Sequence, residues 1–188
     1  PPLYPLLVLF SLCLAIDAPA AVIDVQPGED LFAALEGLAP GDEVIVQAGT
    51  YSTQKAGGSF FRQVELHGAE GLPIVVRAAD GALVRIEGDP NASQNIINIT
   101  GEHYEWRGFE MVYGSHGIRV HNSAHATFTG LHIHDTADVG ISCNMTGHTY
   151  EALTFSHNEI HDTHGKGDRT TATKRDRNRD RSRDRRDG

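Results

Sequence analysis

Two histidine–aspartate pairs of this chain have residue types and a spacing that could support chemistry. His134 and Asp135, followed by a threonine, recur 27 positions later as His161 and Asp162, again followed by a threonine. Stacked aspartates repel unless a cation or a histidinium lies between them, so these four residues are candidate metal ligands. Their spacing matches no specific zinc motif. The alternative, which we favour, is a turn in which the aspartate accepts backbone N–H bonds and the threonine caps it.

These pairs belong to a longer repeat formed by residues 126–136 and 153–163. A weaker copy lies upstream, where Trp106 precedes Phe128 by 22 positions. Gly117-Ile-Arg-Val and Gly140-Ile-Ser-Cys repeat at a spacing of 23. Self-similarity at such periods is typical of stacked architectures, in which each unit buries its apolar face against its neighbours.

Each unit alternates apolar and polar side chains in short runs, which predicts strands with one inward face. Glycine, asparagine, aspartate or serine separates the runs. Three short strands per circuit of about 22–27 residues make one coil of an all-β solenoid. Leucine-rich and helical repeats do not fit, because the dense leucine pattern and the helical apolar spacing are missing. An ordinary sandwich with a chance similarity is the alternative.

The opening segment, residues 30–51, adds a second pattern. Leu31, Ala34, Leu35 and Leu38 fall on one helical face, a Pro-Gly-Asp turn follows, and the next strand ends in Gly-Thr-Tyr. With this segment and the coils, residues 22–165 resemble the right-handed parallel β-helix superfamily, the pectin lyase-like proteins. The resemblance implies a right-handed single-stranded parallel β-helix with a short N-terminal capping α-helix. Residues 72–78 and 84–89 also look like early coils of secreted polysaccharide lyases of this type.

In the resembled superfamily, substrate lies along the outer face of one parallel sheet. The two Gly-Ile strands match the register of that sheet, so four side chains point outward: Arg119, His121, Ser142 and Asn144. With coils about 4.8 Å apart, Arg119 would neighbour Ser142, and His121 would neighbour Asn144. A guanidinium can hold a uronate carboxylate in two bonds while the other groups reach sugar hydroxyls. The alternative is that all four are ordinary solvent-facing residues.

No catalytic residue can be assigned from the sequence. The resembled lyases often hold Ca²⁺ on acidic residues and remove the C5 proton with lysine or arginine. Arg119 has the right residue type but lies in no matching motif. The resemblance therefore implies Ca²⁺ as a cofactor of a full-length protein, without ligands that can be named here.

The two ends differ from the body. Residues 1–20 read as a signal peptide, with an apolar core too short to span a membrane and an Ala-Pro-Ala site, and so predict an extracellular or periplasmic protein without an integral membrane segment after cleavage. Residues 21–165 are the predicted β-helix domain, which we expect to be incomplete and monomeric.

Residues 166–188 hold 10 Lys/Arg and 5 Asp/Glu, net +5, against −14 for residues 1–165. This predicts a disordered tail. The tail could be a nucleic-acid-binding arm, a linker or the product of a frame or gene-model error. Its alternating aspartates and the predicted export oppose nucleic acid. We favour the error, because the next Gly-Ile strand never arrives.

Two functions compete. One is a fragment of a carbohydrate-active enzyme, a lyase or epimerase acting on an acidic polysaccharide. The other is a non-catalytic surface, adhesin-like or carbohydrate-binding β-helix protein, which the acidic body favours because it would repel polyanions away from a local basic site. Both rest on fold analogy. Phosphotransfer and nucleotide chemistry have no support, because the chain carries no phosphate loop and no dinucleotide glycine pattern.

Overall fold

The computed structural model describes residues 19–164 of the 188-residue chain. The predicted signal peptide, apart from its last two residues, and the predicted tail 166–188 lie outside the described part. In residues 19–164 no helix has the length and apolar character needed to cross a membrane.

Strands dominate the described part of the chain. Their bounds are β1 (Val22–Val25), β2 (Glu43–Val46), β3 (Gly49–Ser52), β4 (Gln63–His67), β5 (Ile74–Ala78), β6 (Val84–Glu87), β7 (Ile97–Arg107), β8 (Phe109–Val112), β9 (His116–Thr129), β10 (His132–His134), β11 (Val139–Ser142), β12 (Tyr150–Glu151), β13 (Thr154–Ser156) and β14 (Glu159–Ile160). The pairs between these strands are all parallel.

The strands form three faces of a coiled ribbon. The two long strands β7 and β9 turn a corner at residues with positive φ, His103 at 49° and His125 at 51°. Face one therefore holds β1, β2, β5, the second halves of β7 and β9, and β13. Face two holds β3, β6, β8, β10 and β14. Face three holds β4, the first halves of β7 and β9, and β11. This is the predicted parallel β-helix.

The repeat found in the sequence corresponds to the pairing register of successive coils. Phe155 pairs with Phe128, which in turn pairs with Trp106, and Ile141 pairs with Ile118. Paired residues from successive coils stack inside the helix because inward positions recur once per coil. Trp106, Phe128 and Ile118 are fully buried. The sequence repeat thus identifies residues that are paired in successive coils.

The coil that contains β11 is longer than the preceding coil between face three and face one. Ten positions separate Ile118 from Phe128, whereas fourteen separate their partners Ile141 and Phe155. The four additional residues lie in the turn after β11, within residues 143–149. The turn between β13 and β14 contains Asn158, whose Oδ1 accepts a hydrogen bond from the Leu131 N–H at 2.9 Å. This bond links the equivalent turns of the two coils.

The predicted capping α-helix is wrong in type. The segment forms one 3-10 turn, Ala33–Leu35, and the chain becomes extended at Glu36, with φ −82° and ψ 131°. Gly37 follows at φ 73°, a conformation outside the helical region. Too few residues lie before this glycine for an α-helix to gain from propagation. Leu31 and Leu35 are nevertheless buried in the core, so the apolar face was predicted correctly.

Candidate functional site

Face three carries the predicted substrate-binding residues, beginning with Arg119. Arg119 lies on β9 between Asn98 of β7 and Ser142 of β11, in register with both. Its side chain is half-buried, whereas its strand neighbours Ile118 and Val120 are fully buried, so the arginine faces outward. The structure therefore brings Arg119 and Ser142 together in the way that the Gly-Ile repeat predicts.

Arg119 differs from the other arginines in its charge partners. In residues 19–164 four arginines make ion pairs with carboxylates, whereas Arg119 has no carboxylate within 4.0 Å; the four are Arg62, Arg77, Arg85 and Arg107. Arg119 Nη2 instead lies 2.8 Å from His116 Nε2. A guanidinium only donates, so His116 Nε2 accepts, and its Nδ1, 3.3 Å from Ser115 Oγ, holds the ring proton. Arg119 is thus a positioned cation with no carboxylate of the described chain within 4.0 Å, although Asp138 Oδ2 lies 3.9 Å from the same His116 Nε2.

No ladder pair joins His121 and Asn144. Strand β11 ends at Ser142, and Asn144 is exposed in the longer turn that follows. His121 packs instead against His148 from the same turn, with ring centroids 4.9 Å apart. Burial, together with the charges of His148 and Arg119, lowers the pKa of His121 below its ordinary value. At neutral pH the His121 imidazole is therefore uncharged.

Several polar atoms on this surface have unused hydrogen-bonding capacity. Within the described residues, four of its side-chain atoms are buried without a hydrogen-bond partner: Arg119 Nε, His121 Nε2, Ser142 Oγ and His148 Nδ1. Buried polar atoms are usually satisfied, so each unsatisfied one calls for an explanation such as a bound water, an ion or a functional role. We call these four residues with Asn98 the Arg119 surface. It combines a cation, an uncharged imidazole, a buried hydroxyl and a buried amide.

Face two carries a second constellation, which we call the histidine cluster: Glu110, His132, His134, Glu159 and His161. Glu110, His132 and Glu159 are in register on β8, β10 and β14. The Nε2 atoms of His132 and His161 lie 2.9 Å apart, and the rings of His134 and His161 stack with centroids 5.2 Å apart. The cluster therefore spans three successive coils.

Hydrogen bonds set the charges of the cluster. Glu110 accepts two hydrogen bonds from Arg85, at 2.9 and 2.7 Å, and lies 3.0 Å from His134 Nε2. The bonds from Arg85 outweigh burial and, with the bond to His134, lower the pKa of Glu110 to about 2. Burial opposes ionisation of His134, but hydrogen bonds to Glu110 and Asp135 hold the pKa of His134 above its ordinary value. The histidine cluster thus carries a negative charge at Glu110, beside the positive charge of Arg85.

The predicted metal candidates are two histidines and the two aspartates that contact them. Asp135 and Asp162 adopt positive φ, 54° and 49°, so they do lie in turns. Their carboxylates, however, each lie 2.8 Å from Nδ1 of the preceding histidine, a contact to a side chain rather than the expected backbone N–H. The hydrogen bond from His161 lowers the pKa of Asp162. The aspartates thus orient His134 and His161.

Sequence reasoning missed Glu110, His132 and Glu159. A signal for them was present, because each lies one position before an apolar residue of the repeat, Met111, Ile133 or Ile160. It also missed His148, for which no signal existed, since the longer turn that carries it has no counterpart in the preceding coil.

The Ca²⁺ implied by the family resemblance does not fit the described residues. In residues 19–164, the two groups of three potential ligands with ligand atoms within 4.8 Å both contain histidine; they are Glu110, His132 and His134, and His132, Glu159 and His161. Ca²⁺ prefers six to eight oxygen ligands. Neither group is an oxygen-rich site, and neither lies on the Arg119 surface.

Comparisons with known proteins bear on the fold. No protein-family model matches this chain, and no curated protein sequence matches it. The chain is similar to a crystal structure of pectate lyase Pel9A, with 20% identity and a TM-score of 0.62, over 77% of this chain and 41% of that one. It is also similar to a crystal structure of an alginate lyase from Paenibacillus sp. str. FPU-7, with 23% identity and a TM-score of 0.56, over 76% of this chain and 44% of that one.

The chain spans less than half the length of both structures that it matches. At these identities the similarity concerns the path of the backbone. Together with the three parallel faces and the coil register, it shows that this chain has the right-handed parallel β-helix fold of the pectin lyase-like proteins.

Proposed function

We propose that this chain is part of an exported carbohydrate-active β-helix protein that binds an acidic polysaccharide on the Arg119 surface and acts on it as a lyase or epimerase. The observation that carries the proposal is the charge of Arg119, which no carboxylate of the described residues neutralises within 4.0 Å. A half-buried arginine without a carboxylate within 4.0 Å suits the carboxylate of an acidic sugar, which a guanidinium can hold in two bonds.

The need for such a cation follows from the chemistry. Removing the C5 proton of a uronate leaves negative charge on the adjacent carboxylate, and a fixed guanidinium stabilises that charge. In a lyase the C5–H electron pair then forms a C4–C5 double bond, the C4–O bond breaks, and the leaving oxygen takes a proton. In an epimerase a proton returns to C5 from the opposite side.

His121 is the candidate base in this proposal. It lies two positions from Arg119 on the outward side of β9, about 7 Å along the strand. Its lowered pKa keeps the imidazole uncharged at neutral pH, as a proton acceptor must be. Its Nε2 has no hydrogen-bond partner among the described residues. Ser142 and Asn98 lie beside Arg119 on either coil but are only 8% and 4% exposed, and Asn98 Oδ1 accepts from Asn95, so Arg119 and His121 would make the main contacts with the sugar.

The two structural relatives support the substrate class, since one is a pectate lyase and the other an alginate lyase. Export to the extracellular space or periplasm is part of the same proposal, because polymeric uronates are found outside the cytoplasm. The apolar residues 1–20 support it.

The test is incubation of the purified chain with alginate, pectate and chondroitin, each with and without Ca²⁺. A rise in ultraviolet absorbance from unsaturated uronates identifies a lyase, and a changed uronate composition without that rise identifies an epimerase. We expect Arg119→Gln to abolish either signal and His121→Gln to lower kcat more than it changes KM. Arg107→Gln, which removes an arginine on face one, is the matched control and should act as wild type.

A non-catalytic carbohydrate-binding role is the second candidate, favoured by one observation: residues 19–164 carry 19 Asp/Glu against 6 Lys/Arg, so Arg119 is a local exception on an acidic body. Affinity electrophoresis on the same three polymers separates the candidates. Retardation that Arg119→Gln removes, without any product, supports binding alone. Neither product nor retardation on any polymer overturns both.

A further inference from the structure

We propose that the histidine cluster on face two is a binding site for one divalent transition-metal ion of the Zn²⁺ class, held by Glu110, His132 and His134 with His161 as a fourth ligand. The site lies on a different face from the Arg119 surface and does not rest on the proposed function. It joins β8, β10 and β14, three successive coils of the helix.

The spacing of the ligand atoms carries the proposal. The ligand atoms of Glu110, His132 and His134 lie within 4.8 Å of one another. Ligands at about 2.0–2.1 Å around a tetrahedral ion are roughly 3.3 Å apart. Glu110 Oε1 and His134 Nε2 are 3.0 Å apart, and His132 Nε2 lies 2.9 Å from His161 Nε2. Small side-chain shifts would therefore place the atoms of Glu110, His132 and His134 around one ion, whereas His161 Nε2, which adjoins His132 but is grouped with His132 and Glu159, would have to move further to become the fourth ligand.

The supporting contacts of the histidines point the same way. Asp135 lies 2.8 Å from Nδ1 of His134, and Asp162 lies 2.8 Å from Nδ1 of His161. A carboxylate that takes the Nδ1 proton leaves the Nε2 lone pair for a metal and fixes the direction of the ring. In both histidines it is Nε2 that points into the cluster. The repeated His-Asp pair thus supplies a ligand and its orienting partner in two successive coils.

The ligand chemistry selects the metal. Three imidazoles and one carboxylate suit Zn²⁺, Ni²⁺ or Cu²⁺, whereas Ca²⁺ and Mg²⁺ prefer oxygen alone. One ion per chain is expected, because the two possible ligand groups share His132. His134 is only 14% exposed, so the site is partly shielded from water.

One residue competes with the ion. Arg85 donates two hydrogen bonds to Glu110 and places a positive charge beside it. If the cluster is only an ion-pair and hydrogen-bond network, Arg85 stabilises it and no metal is needed. If the cluster is a metal site, Arg85 weakens the binding of a cation. Removing Arg85 therefore separates the two interpretations.

The experiment is isothermal titration of the chelator-treated full chain with Zn²⁺, and separately with Ca²⁺. We expect one Zn²⁺ per chain, a higher Tm with Zn²⁺ bound, and no matching response to Ca²⁺. His132→Asn should weaken Zn²⁺ binding by more than about 100-fold, and Asp135→Asn by about 10–100-fold. His125→Asn is the control, since His125 stacks on His103 at 4.6 Å on another part of the helix, and should leave Zn²⁺ binding unchanged.

We expect Arg85→Gln to have the opposite effect on Zn²⁺ affinity. It should tighten Zn²⁺ binding while lowering the stability of the metal-free chain. With Co²⁺ as a probe, absorption bands of a tetrahedral centre should appear in wild type and disappear in His132→Asn. The proposal is overturned if Zn²⁺ does not bind, if His132→Asn binds it as well as wild type does, or if Arg85→Gln weakens binding.

Discussion

Phe128 and Phe155 are paired residues of successive coils, and their rings stack with centroids 5.2 Å apart and planes inclined by 9°. Phe128 is fully buried, whereas Phe155 is 42% exposed. The same position of the repeat therefore contributes differently in the two coils.

Truncating these two rings should have unequal effects on stability. Phe128→Ala opens a cavity between the rings of the neighbouring coils and should lower the free energy of unfolding by about 3–5 kcal/mol. Phe155→Ala should cost about 1–2 kcal/mol, because part of its area is already in water. Urea denaturation of the two variants measures the difference, and equal losses would contradict the burial that the structure shows.

The glycines of the Gly-Ile strands should also differ. A Cβ added at Gly117 would lie 2.5 Å from both the Gly140 carbonyl oxygen and an Ile133 methyl group. For a Cβ added at Gly140, the three nearest atoms all belong to the side chain of Ile160, which is 44% exposed and can move.

We therefore expect Gly117→Ala to destabilise the fold by about 1–3 kcal/mol or more, as in other overpacked cores, and Gly140→Ala to destabilise it less. Thermal denaturation of both variants checks the order. A larger loss for Gly140→Ala would show that Ile160 is held more rigidly than its exposure suggests.

Asp89 should make stability depend on pH. Its carboxylate accepts from the Ser93 hydroxyl and from the N–H groups of Asn91 and Ser93. The hydroxyl bond is the main cause that lowers the pKa of Asp89 in the folded chain, and burial opposes it. Because the folded-state pKa is below the unfolded value of about 3.9, this stabilisation is complete above that value and is lost as pH falls through the folded-state pKa.

Asp89→Asn should accordingly cost about 1.5–3 kcal/mol at neutral pH, and the difference from wild type should shrink toward acid. Denaturant titrations at several pH values between about 6 and 2.5 measure this. A difference that stays constant over that range would show that the carboxylate charge contributes nothing.

His121 should titrate below free histidine. Burial is the main cause of its lowered pKa, followed by the charge of His148 and then that of Arg119. His148→Gln removes one of these charges and should raise the pKa of His121, as followed by NMR of the ring protons. His157→Asn, an exposed histidine in the turn between β13 and β14, is the control and should leave the pKa of His121 unchanged.

The fold could be predicted well from the sequence because inward side chains recur once per coil. Phe128 and Ile133 recur at that period as Phe155 and Ile160. The capping helix was the exception: helical spacing in residues 31–38 was correct for the buried face, but Gly37 ends the segment after a single 3-10 turn. Apolar spacing reports which side chains are buried and does not report whether a short segment has room for an α-helix.

The candidate sites could be predicted in part, for the same reason. The pairing of Arg119 with Ser142 follows from the Gly-Ile repeat, whereas Glu110 and His132 could have been found one position before the repeated apolar residues Met111 and Ile133. The contact of His121 with His148 could not be foreseen, because it depends on how a turn without a counterpart in the preceding coil folds back.

The longer turn after β11 shows where this architecture tolerates change. Its four additional residues leave the five-position step from Phe128 to Ile133 intact in the next coil, from Phe155 to Ile160. Insertions there extend the wall beside Arg119 without altering how the coils stack. The surface beside Arg119 can therefore change in length while the ladder of paired side chains that holds the helix together keeps its register.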